Sequence, residues 1–152
     1  MERLFSISNL LVLPFWLLMI VLPHWRWTRR LLASPLIAVP PVIVYAMVVL
    51  PRIGEILAAV ANPTLPDISR LLGTPAGATA AWAHFLAFDL FVGRWAYLDS
   101  RERNISAWIM APVLFLILML GPLGFALYLG VRALAGHSAG ERSTAALGDS
   151  AM

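Results

Sequence analysis

The stretch Ala80–Asp99, AAWAHFLAFDLFVGRWAYLD, decides how the rest of the chain must be arranged. It is long and apolar enough to cross a bilayer, yet it carries His84, Asp89 and Arg94. A charged side chain at mid-membrane costs roughly 2.5–3.5 kcal/mol on insertion scales. Three ionisable groups on one span therefore require partners, water or a chemical task. With Arg94 at zero, helical geometry places His84 near ~80° and Asp89 near ~220° around the axis. The three groups point in three directions, which excludes an intrahelical His–Asp dyad. Each group must meet a different neighbour, so this helix is expected at the centre of a bundle.

Composition agrees. Of 152 residues, 61% are hydrophobic and 12% charged, and the mean hydropathy is +0.82. These values belong to the membrane class. A hydrocarbon core of ~30 Å needs about 20 apolar residues per helix. Four such segments are legible, at about 4–22, 31–50, 75–96 and 105–131, and they nearly use up the chain. The expected fold is all-α: a polytopic membrane protein with four transmembrane helices in a bundle over residues 1–135, then a disordered polar tail over 136–152. There is no cysteine and no lysine, which excludes disulfides, thiol nucleophiles and Schiff-base chemistry. The net charge of +3 is small for a nucleic-acid binder. No metal site is expected, because the three histidines fall in separate regions without an acidic cluster.

Outward from the central stretch, Thr74-Pro75 forms a helix start, with threonine at the N-cap and proline at N1. Before it, Ile53, Ile56, Leu57 and Val60 recur at helical spacing and predict a short interfacial helix between spans two and three. Asp67 is expected to cap a single turn that ends at Gly73. Pro35 and the Pro40-Pro41 pair predict a bent or broken second span, with Tyr45 as its interior polar group. The first span carries Asn9 and Pro14, and HWRWTRR at 24–30 reads as an interfacial loop. Asp99–Asn104 reads as a compact charged loop. Gly121-Pro122-Leu123-Gly124 is expected to bend or unwind the fourth span. Arginine placement puts the loops at 23–30 and 97–104 in the cytoplasm and both termini outside. An alanine stripe at Ala76, Ala80, Ala83 and Ala87 permits homo-oligomers or a place in a larger membrane complex.

The pattern A-W-x-H-x-x-x-x-D-L-F-x-x-R-x-x-Y-x-D at Ala81–Asp99 resembles the signature of the ABA-deficient-four-like membrane proteins. Asn9-x-x-Val12-Leu13-Pro14, Leu18-Met19, Pro23, Thr28 and the Gly121-Pro122 step extend the resemblance over about 5–129. It implies a carotenoid connection: the plant member is required for making neoxanthin from violaxanthin, an epoxide-to-allene isomerisation. No transit peptide is expected from the reading of the first residues, and with it the resemblance implies a bacterial cytoplasmic membrane as the expected location.

Three functions follow as expectations. The first is a membrane enzyme acting on a carotenoid or other isoprenoid, with no cofactor beyond bound carotenoid. Opening an epoxide with proton loss needs an acid at oxygen and a base at carbon. Asp89 suits the acid, His84 the base, and Arg94 an oxyanion or the Asp89 carboxylate. Trp82, Phe88, Phe91, Trp95, Tyr45 and Asn9 would line the substrate. The second is a non-catalytic pigment- or lipid-binding subunit, and the third a small transporter. Against all three stands a structural reading, in which Asp89 and Arg94 bond to backbone groups freed by neighbouring prolines.

Overall fold

The computed structural model describes the backbone of residues 1–149 and the side chains of residues 1–136. The tail expected over 136–152 lies, beyond Gly136, outside the residues described in full. Seven α-helices follow one another: α1 (Glu2–Val21), α2 (Arg26–Ala33), α3 (Val39–Val49), α4 (Ile53–Ala61), α5 (Leu65–Leu72), α6 (Pro75–Glu102) and α7 (Ala107–Asp149). By length and composition four helical stretches could cross a membrane, Glu2–Val21, Pro35–Ala61, Pro75–Glu102 and Ala107–Gly136, the last counted through its interruption at Leu120 and Gly121.

α6 lies at the centre, packed against α1, α3 and α7. Its start is as read: the Gly77 amide donates to the Thr74 hydroxyl at 3.0 Å, with Pro75 in the first turn. Its end is not, because the helix runs through Asp99 and Ser100 to Glu102 where a loop was expected. Asp99 takes the Arg103 guanidinium one turn on at 2.8 Å, and such an i,i+4 pair favours helix. Asn104, at φ 54°, then adopts the left-handed conformation that stops it.

α1 runs parallel to α6 and buries Ser8, Val12, Trp16 and Met19 on one face. The Trp16 ring lies on Gly93, where a Cβ would stand 2.9 Å from the ring's Cζ3. HWRWTRR is no loop: from Arg26 it forms α2, which buries Thr28 and Leu32 against the bundle. Ser34 is extended before Pro35, as a residue preceding proline prefers. The second span thus begins at Pro35, later than read. Pro40 and Pro41 fall in the first turn of α3 and Pro51 in a 3₁₀ turn at Leu50–Arg52, where the missing amides cost little. The helical path therefore continues through α4, and the Ile53–Val60 stripe belongs to the span. The short helix between spans two and three is α5. Thr64 caps it by accepting from the Asp67 amide at 3.3 Å, while Asp67 sits in the first turn and Gly73 ends it.

The fourth long helix is folded back on itself. Leu120 (φ −136°, ψ 30°) and Gly121 (φ 16°, ψ −84°) leave helical geometry. A Cβ on Gly124 would collide with the backbone of Leu116 and Ile117. In a continuous helix residues seven apart stand about 10 Å apart along the axis, so the two limbs lie side by side. Contacts with α6 give the direction. Gly121 meets Asp89, Phe125 and Tyr128 meet Trp95, and Arg132 meets Asp99. Rising numbers meet rising numbers, so the second limb runs parallel to α6, whereas the first leaves the C-terminal end of α6 and runs antiparallel to it. Residues 107–119 and 122–136 measure about 20 and 22 Å, each short of a ~30 Å hydrocarbon core. The bend expected at Gly121-Pro122 is therefore a reversal. Residue 136 therefore lies on the side of Glu102, opposite Met1.

Candidate functional site

Each ionisable group of the central helix meets a different element. Arg94 turns to α2: its Nε donates to the Leu32 carbonyl and an Nη to the Ala33 carbonyl, both at 2.6 Å. These carbonyls close a helix that stops at Ser34-Pro35 and have no intrahelical partner. The guanidinium is thus committed to holding α2 on the bundle.

His84 turns to the second span. Its ring stacks on Phe88 at 4.6 Å between centroids and meets Tyr45 at 5.6 Å and Phe85 at 6.2 Å. His84 and Tyr45 share a crevice of about 280 Å³ between the second span, α5 and α6, lined otherwise by apolar side chains such as Val49, Ile56, Leu71 and Phe85. Phe85, Phe88 and Phe91 project outward along α6 and are 55%, 60% and 49% exposed. Facing a bilayer, they would present aromatic rings beside the crevice.

Asp89 turns to the tip of the α7 hairpin, where a Cβ on Gly121 would stand 3.2 Å from its Cγ. Among the described residues no hydrogen bond or ion pair engages its carboxyl. It lies at the middle of α6, half-buried, beside the start of the second limb. His84 and Asp89 are five residues apart, which is about 7.5 Å along the axis and 140° around it. The fold therefore gives them separate surroundings.

The other expected lining residues divide. The Trp82 indole donates to Asn9 Oδ1 at 3.0 Å and stacks on Phe5 at 5.6 Å, so both tie α1 to the start of α6, away from the His84 crevice lining. Trp95 packs against Phe125 and Tyr128, with the Arg132 guanidinium 5.6 Å from its ring centre.

Sequence reasoning missed one polar cluster. Asp99 Oδ2 accepts from Arg103 at 2.8 Å, from Arg132 at 2.9 Å and from the Tyr128 hydroxyl. Tyr128 is fully buried. The cluster joins the second limb to the end of α6. Its only local signal was Tyr128 and Arg132 at i,i+4 on one face, partners whose target lies 29 and 33 residues away.

A polytopic helical membrane protein with a mid-membrane carboxylate against a re-entrant hairpin, and a histidine in an apolar crevice, is the class these features define. The model of the ABA DEFICIENT 4-like family matches residues 3–128, and the chain belongs to that family. It is similar to Protein ABA DEFICIENT 4, chloroplastic, of Arabidopsis thaliana, at 28% identity over 111 residues. That alignment covers 69% of this chain and 50% of the plant protein, so the chain spans about half the length of the curated relative it matches. No solved structure matches it.

Proposed function

We propose that this protein binds a carotenoid or similar long isoprenoid along the aromatic side of α6 and isomerises an oxygenated end group in the His84–Tyr45 crevice. The observation that carries this reading is the crevice itself: apolar walls, a histidine and a tyrosine 5.6 Å apart, and a membrane-facing row of phenylalanines leading to it. Family membership supports the carotenoid class. A polyene is matched by aromatic and aliphatic surface, and its reactive end needs only a few polar groups.

For an epoxide, the reaction balances without redox change. His84 takes a proton from carbon, the adjacent C–O bond opens, and the Tyr45 hydroxyl supplies a proton to the oxygen. The geometry favours this pair over His84 with Asp89, because His84 and Tyr45 line one cavity while Asp89 is turned to the hairpin tip. Arg94 lies outside the crevice and is engaged in fixing α2. A non-catalytic pigment-binding role is favoured by the same exposed aromatic row and differs in leaving the pigment unchanged.

The test is chromatography of pigments from a host making epoxy-carotenoids, on total extract and on purified protein. A new isomer is expected with the wild-type chain and with Asp89→Asn, and none with His84→Gln at equal amounts of folded protein. Product from His84→Gln but not from Asp89→Asn would move the chemistry to the hairpin tip and end the crevice assignment. Bound pigment with no new isomer would establish the binding role.

A further inference from the structure

The α2 helix carries a feature that the isoprenoid site does not use. Arg26, Arg29, Arg30 and Ala33 follow the i, i+3, i+4, i+7 spacing of one helical face. They alone line an open, shallow hollow of about 310 Å³ on the surface, and no acidic side chain contributes to it. None of the three arginines forms a salt bridge among the described residues. Two of them are oriented in advance: the guanidiniums of Arg26 and Arg30 lie 5.5 and 5.4 Å from the Trp27 ring centre.

The helix beneath them is fixed in place. Thr28, fully buried, donates to the Leu22 carbonyl at 2.8 Å, and Arg94 holds the Leu32 and Ala33 carbonyls. The cradle is therefore a mounted surface and not a loose basic tail. It lies at the end of the bundle where α1 and α6 finish, beside the exposed side chains of Trp25, Trp27 and Leu31.

We propose that this cradle binds the phosphodiester headgroup of an anionic membrane phospholipid. Guanidinium forks match phosphate oxygens in geometry, and three uncompensated positive charges around one cavity call for an anion. The flanking tryptophans and Leu31 decide its source. A lipid's acyl chains would cover that apolar surface while its headgroup fills the cradle, whereas a free phosphate ion would leave it bare.

The test uses the full chain in neutral detergent with native mass spectrometry. The probes are phosphatidylglycerol, phosphatidylcholine with the same acyl chains, and inorganic phosphate. Phosphatidylglycerol is expected to bind in preference to phosphatidylcholine and to resist displacement by inorganic phosphate. Each arginine near an anionic lipid is worth about fivefold in binding. The triple variant Arg26→Gln/Arg29→Gln/Arg30→Gln should thus lose roughly a hundredfold at low ionic strength. Arg29→Gln alone, which leaves the Trp27 stacking intact, should lose about fivefold and tests the idea should the triple variant misfold. Arg70→Gln on α5, at the opposite end of the bundle, should change nothing. Unchanged affinity in the cradle variants, an equal loss with Arg70→Gln, equal binding of both lipids, or displacement by inorganic phosphate would each overturn the proposal.

Discussion

Two glycines of the same helical limb are expected to respond to alanine with opposite signs. A Cβ at Gly130 meets nothing within 4 Å, while one at Gly124 enters the backbone of Leu116 and Ile117. Alanine in place of glycine in an open helix interior stabilises by about 0.5–1 kcal/mol, so Gly130→Ala should raise stability by that amount. Gly124→Ala gains the same propensity but must push two helical limbs apart. Overpacking costs about 1–3 kcal/mol, and backbone cannot rotate away as a side chain can, which argues for the upper half of that range. The net expectation is a loss of about 1–2 kcal/mol, or roughly 2–8 °C in Tm for a chain of this size. Thermal unfolding in one detergent, followed by circular dichroism, reads both variants against wild type. A straight fourth span would place residues 117 and 124 about 10 Å apart, and both alanines would then stabilise alike. Gly124→Ala as stable as Gly130→Ala would refute the hairpin.

Two further expectations concern the same architecture. The chain lacks cysteine, so single-cysteine variants need no altered background: Ser106→Cys and Gly136→Cys should react with an impermeant maleimide from one side of the membrane and Asn62→Cys from the other, whereas labelling of 106 and 136 from opposite sides would mean that the fourth helix crosses. Arg94→Gln should cost about 2 kcal/mol, since it removes two charged hydrogen bonds that are partly open to solvent, and should speed amide exchange in residues 26–33; exchange unchanged there would show that α2 holds without it.

How far the sequence reached can be argued residue by residue. The angular positions of His84, Asp89 and Arg94 required three different partners, and the fold supplies Tyr45, Gly121 and the Leu32–Ala33 carbonyls. That deduction needed only the helical repeat. The start of α6 was legible because capping is local chemistry. The second span was misjudged because a proline's cost depends on its place within a turn, and Pro40, Pro41 and Pro51 all fall in the first turn of an element, where a missing amide costs little. α2 was hidden for a different reason. Only Thr28 and Leu32 face inward, too few for an apolar period, and its last carbonyls are satisfied by Arg94 from 61 and 62 residues away. The reversal of α7 left one local trace, a second glycine three residues after the first. Gly121 permits a bend; Gly124 is needed only when another backbone lies against it.

The hairpin also bears on why a carboxylate stands at mid-membrane. Gly121 and Pro122 begin a half-helix whose first amides have no carbonyl one turn earlier to bond, and the positive end of its dipole lies beside Asp89. Such a dipole is worth about 0.3–1 kcal/mol to an anion, and up to ~2 in favourable, partly buried sites. Placing a charged aspartate at the centre of a span costs roughly 2.5–3.5 kcal/mol even on the mildest scales. The dipole offsets part of that cost and leaves the rest. Arg94 cannot supply it, being bound to α2, and Asp99 already holds Arg103 and Arg132 at the end of the span. A packing role would be served as well by asparagine or alanine at far lower cost. The remaining imbalance sets Asp89 apart from Arg94 and Asp99, whose charges are met within the chain. In the reading proposed above, His84 and Tyr45 would meet the ligand, and Asp89 stands apart from them against the hairpin tip.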